Sequence, residues 1–156
     1  MGNVPTSNRS TWNAVTCDFE ANGYRLPTEA EWEWLARGVE NYTYAGSDNI
    51  NDVAWYNENT KSTGTREVKA KAPNGYGLYD MSGNVFELCW DWGGIINEST
   101  PVEGPSSDSD RRVIRGGCFG EKASEATVFY HNDSFANPYY IFFGLGFRVV
   151  RSSTND

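Results

Sequence analysis

Histidine occurs once in the 156 residues, at His131, and methionine twice. A chain so poor in imidazole cannot assemble a multi-histidine metal centre alone. Cysteine is scarce too, and Cys17, Cys89 and Cys118 lack the paired spacing of a zinc site. Three thiols permit one disulfide at most. Cys17 with Cys89 is the pair expected, and the sequence leaves the other pairings open. Basic charge is the next deficit: 13 Lys and Arg stand against 21 Asp and Glu, a net charge of −8. Phosphate backbones and anionic membranes are therefore poor partners, and no nucleic acid is expected. The cluster Arg111, Arg112 and Arg115 is too small to reverse this. No apolar run nears the ~20 residues that span a bilayer, so no direct membrane insertion of this chain is expected. Met1–Ser10 is polar and unlike a signal peptide.

What the chain does have is rings. Aromatics make up 15% of it, including six Trp, alongside 16 Gly. That mixture predicts one loop-rich α+β domain in which a few large side chains supply most of the buried apolar area. The core rings expected are Trp32, Trp34, Trp55, Phe86, Trp90, Trp92 and Phe147. Residues 1–22 read as a lead-in, 23–151 as the domain and 152–156 as a tail. Pro27-Thr28-Glu29-Ala30-Glu31 carries a capping box, Thr28 with Glu31, and predicts a helix from Glu29 to Arg37 closed by Gly38. Ala30, Trp34 and Leu35 are expected to share one face. Val85–Trp90, Arg112–Gly117 and Gly146–Arg151 read as strands bounded by glycine turns.

Four runs resemble one family. Gly23-Tyr24-Arg25-Leu26-Pro27-Thr28-Glu29-Ala30-Glu31-Trp32-Glu33 comes first. Asn74-Gly75-Tyr76-Gly77-Leu78-Tyr79-Asp80-Met81-Ser82-Gly83-Asn84-Val85-Phe86-Glu87, Arg115-Gly116-Gly117 and Gly146-Phe147-Arg148 follow in order. Together they resemble the formylglycine-generating-enzyme (sulfatase-modifying factor) family, which implies its variant of the C-type lectin fold, with little regular secondary structure. The resemblance also implies that an N-terminal portion of the family's domain is missing here. A lipid anchor on that portion is compatible with an outer-membrane lipoprotein at the cell surface. Enzymes of the family use two cysteines shortly after Arg-Gly-Gly; at those places stand Glu121 and Ala126, and neither can act as a thiolate copper ligand. A second branch holds non-haem iron with several histidines, which His131 alone cannot provide. The resemblance thus implies no catalytic residues. It further implies calcium near Asn84, Val85 and Glu87, with Asn51 and Asp52 as a further ion site. The competing assignment has Asn84 bonding its own turn and Glu87 pairing with an arginine. No other cofactor is expected.

The block from Cys118 to Gly144 keeps a family-like frame but scattered infill. In this it resembles the variable proteins of diversity-generating retroelements, treponemal surface lipoproteins among them. There the infill residues contact ligand. The corresponding candidates are Cys118, Phe119, Glu121, Lys122, Ser124, Glu125, Thr127, Phe129, Tyr130, His131, Asp133, Phe135, Tyr139, Tyr140, Phe142 and Phe143. Eight aromatics fall between 118 and 144, about double the chain's average density. Rigid rings lose little entropy on contact, which suits a recognition face. The competing reading makes Tyr139-Tyr140-Ile141-Phe142-Phe143 a buried strand. The function expected is non-catalytic, receptor- or adhesin-like binding of a protein or glycan on another cell. The alternatives are a copper-dependent formylglycine-generating oxidoreductase and a carbohydrate-binding accessory domain of fixed surface.

Overall fold

The computed structural model describes residues 14–94, 111–131 and 143–152. Helix α1 (Glu29–Arg37) forms where its capping box predicts. The Thr28 hydroxyl accepts from the Glu31 amide at 3.2 Å, and the Glu31 carboxylate accepts from the Thr28 amide at 2.8 Å. Two otherwise orphaned donors are thereby satisfied. Gly38 ends the helix in the left-handed conformation, φ 58°, where a Cβ would strike Asn74.

The buried face of α1 differs from expectation. Glu29, Trp32 and Ala36, at spacings of three and four, turn inward, and both Trp32 and Ala36 are fully buried. Trp34 lies about 200° around the helix from Trp32. It is 62% exposed. Its assignment to the core is therefore corrected.

A three-stranded sheet has β2 (Phe86–Trp92) at its centre. β3 (Arg112–Arg115) pairs with it antiparallel, placing Glu87 opposite Arg115 and Leu88 opposite Ile114. The register shifts between Leu88 and Trp92. β4 (Leu145–Gly146) runs parallel on the other side, with Gly146 beside Glu87. The stretch expected to be one strand, Gly146–Arg151, divides instead. After β4 the Arg148 guanidinium turns in to Glu87 while Phe147 and Val149 face solvent, and β5 (Val150–Arg151) pairs antiparallel with β1 (Tyr24–Arg25). Phe147, 68% exposed, thus leaves the expected core. Trp32, Phe86 and Trp92 are buried there as read, while Trp55 and Trp90 are half-buried.

Two short helices, α2 (Ile50–Val53) and α3 (Asn57–Thr60), cover one flank. Ile50, Val53, Ala54 and Tyr56 pack there on Ala126. Gly83 makes this approach feasible: its φ is +75°, and a Cβ would lie 2.3 Å from the Trp55 carbonyl oxygen. The central cluster joins Trp32, Ala36, Met81, Cys89, Val113 and Val128.

All three thiols are free, which corrects the expected Cys17–Cys89 bridge. Cys89 faces the central cluster with no exposed surface, so its sulfur packs as a small apolar group, and burial holds its thiol well above the ordinary range.

Asp91 sits buried beneath the start of α1, accepting from the Glu29 amide at 2.6 Å. Desolvation pushes its pKa up to about 6, against the pull of that bond. A native pKa above the unfolded value means the folded chain holds this proton more tightly. The associated stability is present below about pH 4 and is lost as pH rises through about 6. Relative to Asp91→Asn, the native chain should therefore lose on the order of 3 kcal/mol between pH 4 and 7. Urea unfolding of both proteins across that range measures the difference. Parallel pH profiles would refute it.

Candidate functional site

Arg115, the last residue of β3, organises the site from below. It is 2% exposed. One guanidinium nitrogen donates to Glu29 Oε1 at 3.0 Å, and the other donates to Glu33 Oε2 and to the Val128 carbonyl, both at 2.8 Å. The group also lies 5.2 Å from the Trp32 ring centroid. A single cation thus joins the sheet, helix α1 and the stretch after the Gly116-Gly117 turn. Burial raises the Glu33 carboxyl, but Arg37 and Arg115 outweigh it and hold the pKa below the ordinary carboxylate value.

The stretch from Cys118 to His131 is fastened mostly through its main chain. The Phe119 amide donates to the Asn84 carbonyl, and the Phe119 carbonyl accepts from Thr60 Oγ1. The Asn57 amide donates to the Glu121 carbonyl and the Val128 amide to the Thr43 carbonyl. Ser82 Oγ donates to the Ala126 carbonyl at 2.7 Å. The side chains of Cys118, Ala126, Thr127 and Val128 are buried as pegs, while Lys122, Ser124, Phe129 and His131 face solvent.

Between the helix and this stretch lies a cleft of about 500 Å³. Helix α1 contributes Glu29, Glu33, Trp34 and Arg37; the stretch contributes Phe129 and His131, with Arg115 below. His131 Nδ1 lies 2.7 Å from Glu29 Oε1, the oxygen that Arg115 also contacts. Trp34 packs on Tyr76 with ring centroids 4.9 Å apart and planes tilted by 40°, a contact that steadies its ring.

Of the sixteen candidate contact residues, Cys118 and Thr127 are corrected, because each is only 5% exposed and serves as a packing residue. Phe119, Glu121, Glu125 and Tyr130 are half-buried, and Phe143 is 98% exposed. The exposure of Phe143 counts against the buried-strand reading at that residue. Asp133, Phe135, Tyr139, Tyr140 and Phe142 lie outside the described residues. Trp34, Glu33 and Arg37 were missed as wall residues of the cleft. The signal available was the Glu29-Trp32-Ala36 spacing, which leaves Trp34 no place on the inner face.

The oxygens considered for calcium have protein partners. Glu87 Oε1 accepts from Arg148 at 2.6 Å, and Oε2 accepts from Arg148 and from Trp32 Nε1 at 2.6 Å. Asn84 exchanges two hydrogen bonds with the Arg66 main chain, and Val85 donates to the Gly83 carbonyl. A cation here would have to draw Glu87 away from Arg148, the arginine pairing of the competing assignment, whereas the Asn84 side chain bonds the distant Arg66 main chain and not its own turn. Asp52 accepts from Ser47 and Asn49, and Asn51 from Asn59. Among the described residues no three His, Cys, Asp or Glu side chains gather as a metal site.

Residues 2–153 match the FGE-sulfatase family, described as the sulfatase-modifying factor enzyme 1-like domain. The chain belongs to this family. It is 38% identical over 88% of its length to chaperone protein LppX of Paenibacillus barcinonensis, of which it covers 52%. It is 39% identical over 70% of its length to the formylglycine-generating enzyme of Streptomyces coelicolor, covering 40% of that enzyme. Among solved structures, Treponema denticola variable protein 1 superposes with a TM-score of 0.83 at 38% identity, over 94% of this chain and 54% of that one. The chain therefore spans about half or less of the length of these relatives. The fold is the family's C-type-lectin-like arrangement of short strands and helices held by loops.

Two positions of this frame are those read as the cysteine places of the family's enzymes. Glu121 is half-buried with its carbonyl bonded to Asn57, and Ala126 is 1% exposed in the α2 cluster. Cys118, the only thiol of the block, packs with Phe86 and Ile114, and burial pushes its pKa up.

Replacing Arg115 by Met should cost about 3–5 kcal/mol, because Glu29 is left buried with its charge uncompensated. The double substitution Glu29→Met with Arg115→Met should recover most of that loss, as read by urea midpoints. Equal losses in both variants would show that packing volume, not charge pairing, is what Arg115 contributes.

Proposed function

We propose that this domain is a non-catalytic ligand-binding module, displayed at a cell surface, whose recognition face is the block 118–144. The reading is carried by one observation. The described part of the block is fastened by main-chain atoms and a few buried pegs, leaving Lys122, Ser124, Phe129 and His131 outward without a packing role in the core clusters. Side chains on such a frame can change while the backbone hydrogen bonds remain, because amide and carbonyl groups are common to nearly all residues. The likeness to Treponema denticola variable protein 1 supports the same reading. Aromatic anchors among adaptable polar groups match the composition of protein recognition surfaces.

The partner in this reading is a protein or glycan on another cell, and surface display is through a lipid-anchored N-terminal stretch. The chain's −8 charge argues against nucleic acid. Catalysis of the formylglycine-generating kind would need a copper-binding thiolate pair. The elevated Cys118 thiol pKa, with Glu121 and Ala126 nearby in sequence, favours a binding role.

Sequencing the gene across isolates tests the face: nucleotide changes should concentrate in the codons of 118–144, and an even spread would favour a fixed-surface accessory domain. The combined variant Lys122→Ala, Phe129→Ala and Phe143→Ala should lose capture by arrayed glycans and extracellular proteins while its Tm stays within about 3 °C of the parent, since solvent-facing changes cost little. Unfolding of that variant would refute the reading. So would tight cuprous-ion binding in a titration monitored by thiol-to-metal absorbance.

A further inference from the structure

We propose that the cleft between α1 and the 127–131 stretch is a subsite for one neutral pyranose ring. The proposal deepens the binding reading and rests on it, since Phe129 and His131 belong to the block.

The first argument is charge. Glu29 and Glu33 are answered by Arg115 and Arg37, so the polar lining carries two formal negative and two formal positive charges. A cationic ligand meets the guanidiniums and an anionic one meets the carboxylates; neither recovers the cost of leaving water. An uncharged polyol avoids that penalty. Each of its hydroxyls both donates and accepts, matching a lining that alternates acceptors with donors.

The second argument is shape and surface. The cleft volume of about 500 Å³ suits a small ring with its substituents. Trp34 and Phe129 are 62% and 57% exposed, two large rings left wet in the cleft's lining, one from the helix and one from the stretch. Covering them recovers apolar burial that the fold itself forgoes. The faces of a pyranose bear axial C–H groups that pack on aromatic rings, while its hydroxyls project from the rim. Tyr76 already holds Trp34, so ordering that wall costs little.

The third argument is unused hydrogen-bonding capacity. Glu29 Oε2 and Arg115 Nε are buried without a hydrogen-bond partner beneath the cleft. An acceptor and a donor left in that state are costly. Both belong to side chains that line the cleft, and a small turn of each toward it would let ligand hydroxyls or one bridging water satisfy them.

The test is a titration of the whole chain with the methyl pyranosides of glucose, galactose, mannose and N-acetylglucosamine, followed by the Trp34 indole NMR signal. At least one should bind with Kd near 1 mM, as suits a single-ring subsite, at about −4 kcal/mol. Trp34→Ala and Phe129→Ala should each weaken it by about tenfold or more. Tyr24→Ala, exposed on β1 outside the cleft, should leave it unchanged. Absence of binding by all four sugars overturns the subsite. Binding that survives Trp34→Ala overturns it as well, as does a cleft that takes tyrosinamide or argininamide in preference to every sugar. Failure here and failure of the broader reading are separable. Capture that needs Lys122 and Phe143 but not Trp34 removes only the pyranose. Sugar binding that needs Trp34, with capture indifferent to Lys122 and Phe143, removes only the block as recognition face.

Discussion

The buried guanidinium of Arg115 is the constraint on which the described structure turns. It stands at the end of β3 with 2% exposure, and its partners come from two other parts of the chain. A charge so placed tolerates few geometries, because its terminal nitrogens must be met by carboxylate and carbonyl acceptors. The carboxylates of Glu29 and Glu33 fix the rotation of α1, and the Val128 carbonyl fixes how the chain returns after the double-glycine turn. Trp32 is then pressed into the centre, with its Nε1 donating to Glu87. Glu87 in turn takes Arg148 from the C-terminal run. Two arginine–glutamate pairs, linked by one indole, thereby connect α1, β3, β2 and the segment after β4.

Regular secondary structure alone could not do this. The strands are short, and β1, β4 and β5 each span two residues. Order in the loops is supplied by polar groups at loop crossings, such as Asn84 with Arg66 and Ser82 between Ala45 and Ala126. Satisfied buried bonds of this kind specify one arrangement strongly, since breaking any of them strands a partner away from water. Cys118 and Thr127 are buried within the frame that these bonds hold, and their burial separates them from neighbours such as Lys122 and Phe129.

Legibility in the sequence followed the range of the interactions. Helix α1 could be read to the residue, because Thr28, Glu31 and Gly38 act within a few positions of one another. Its inner face could not be read from aromatic identity; Trp32 and Trp34 are chemically alike, and only their opposite directions on the helix distinguish them. The run from Gly146 to Arg151 has a strand's composition, yet Arg148 breaks it by reaching a carboxylate 61 positions away. The free state of Cys89 was hidden for the same reason: a buried thiol and half of a disulfide look identical until neighbours are known. The cleft lay furthest from view, being assembled from α1, the end of β3 and residues 129 and 131.

That assembly divides what can vary from what cannot. His131 contacts a Glu29 oxygen that Arg115 already holds, so replacing the imidazole leaves the carboxylate with a cationic partner. Phe129 is more than half exposed, so its replacement opens no cavity. Trp34, Glu33 and Arg37 sit on a helix whose other face is locked by Trp32 and Ala36, which keeps their positions constant whatever occupies 129 and 131. A surface with one fixed wall and one replaceable wall narrows the ligands it can take. Under the proposed binding role, replacements at 129 and 131 would leave the Glu33, Trp34 and Arg37 wall in place, so any ligand of the cleft would have to suit that wall.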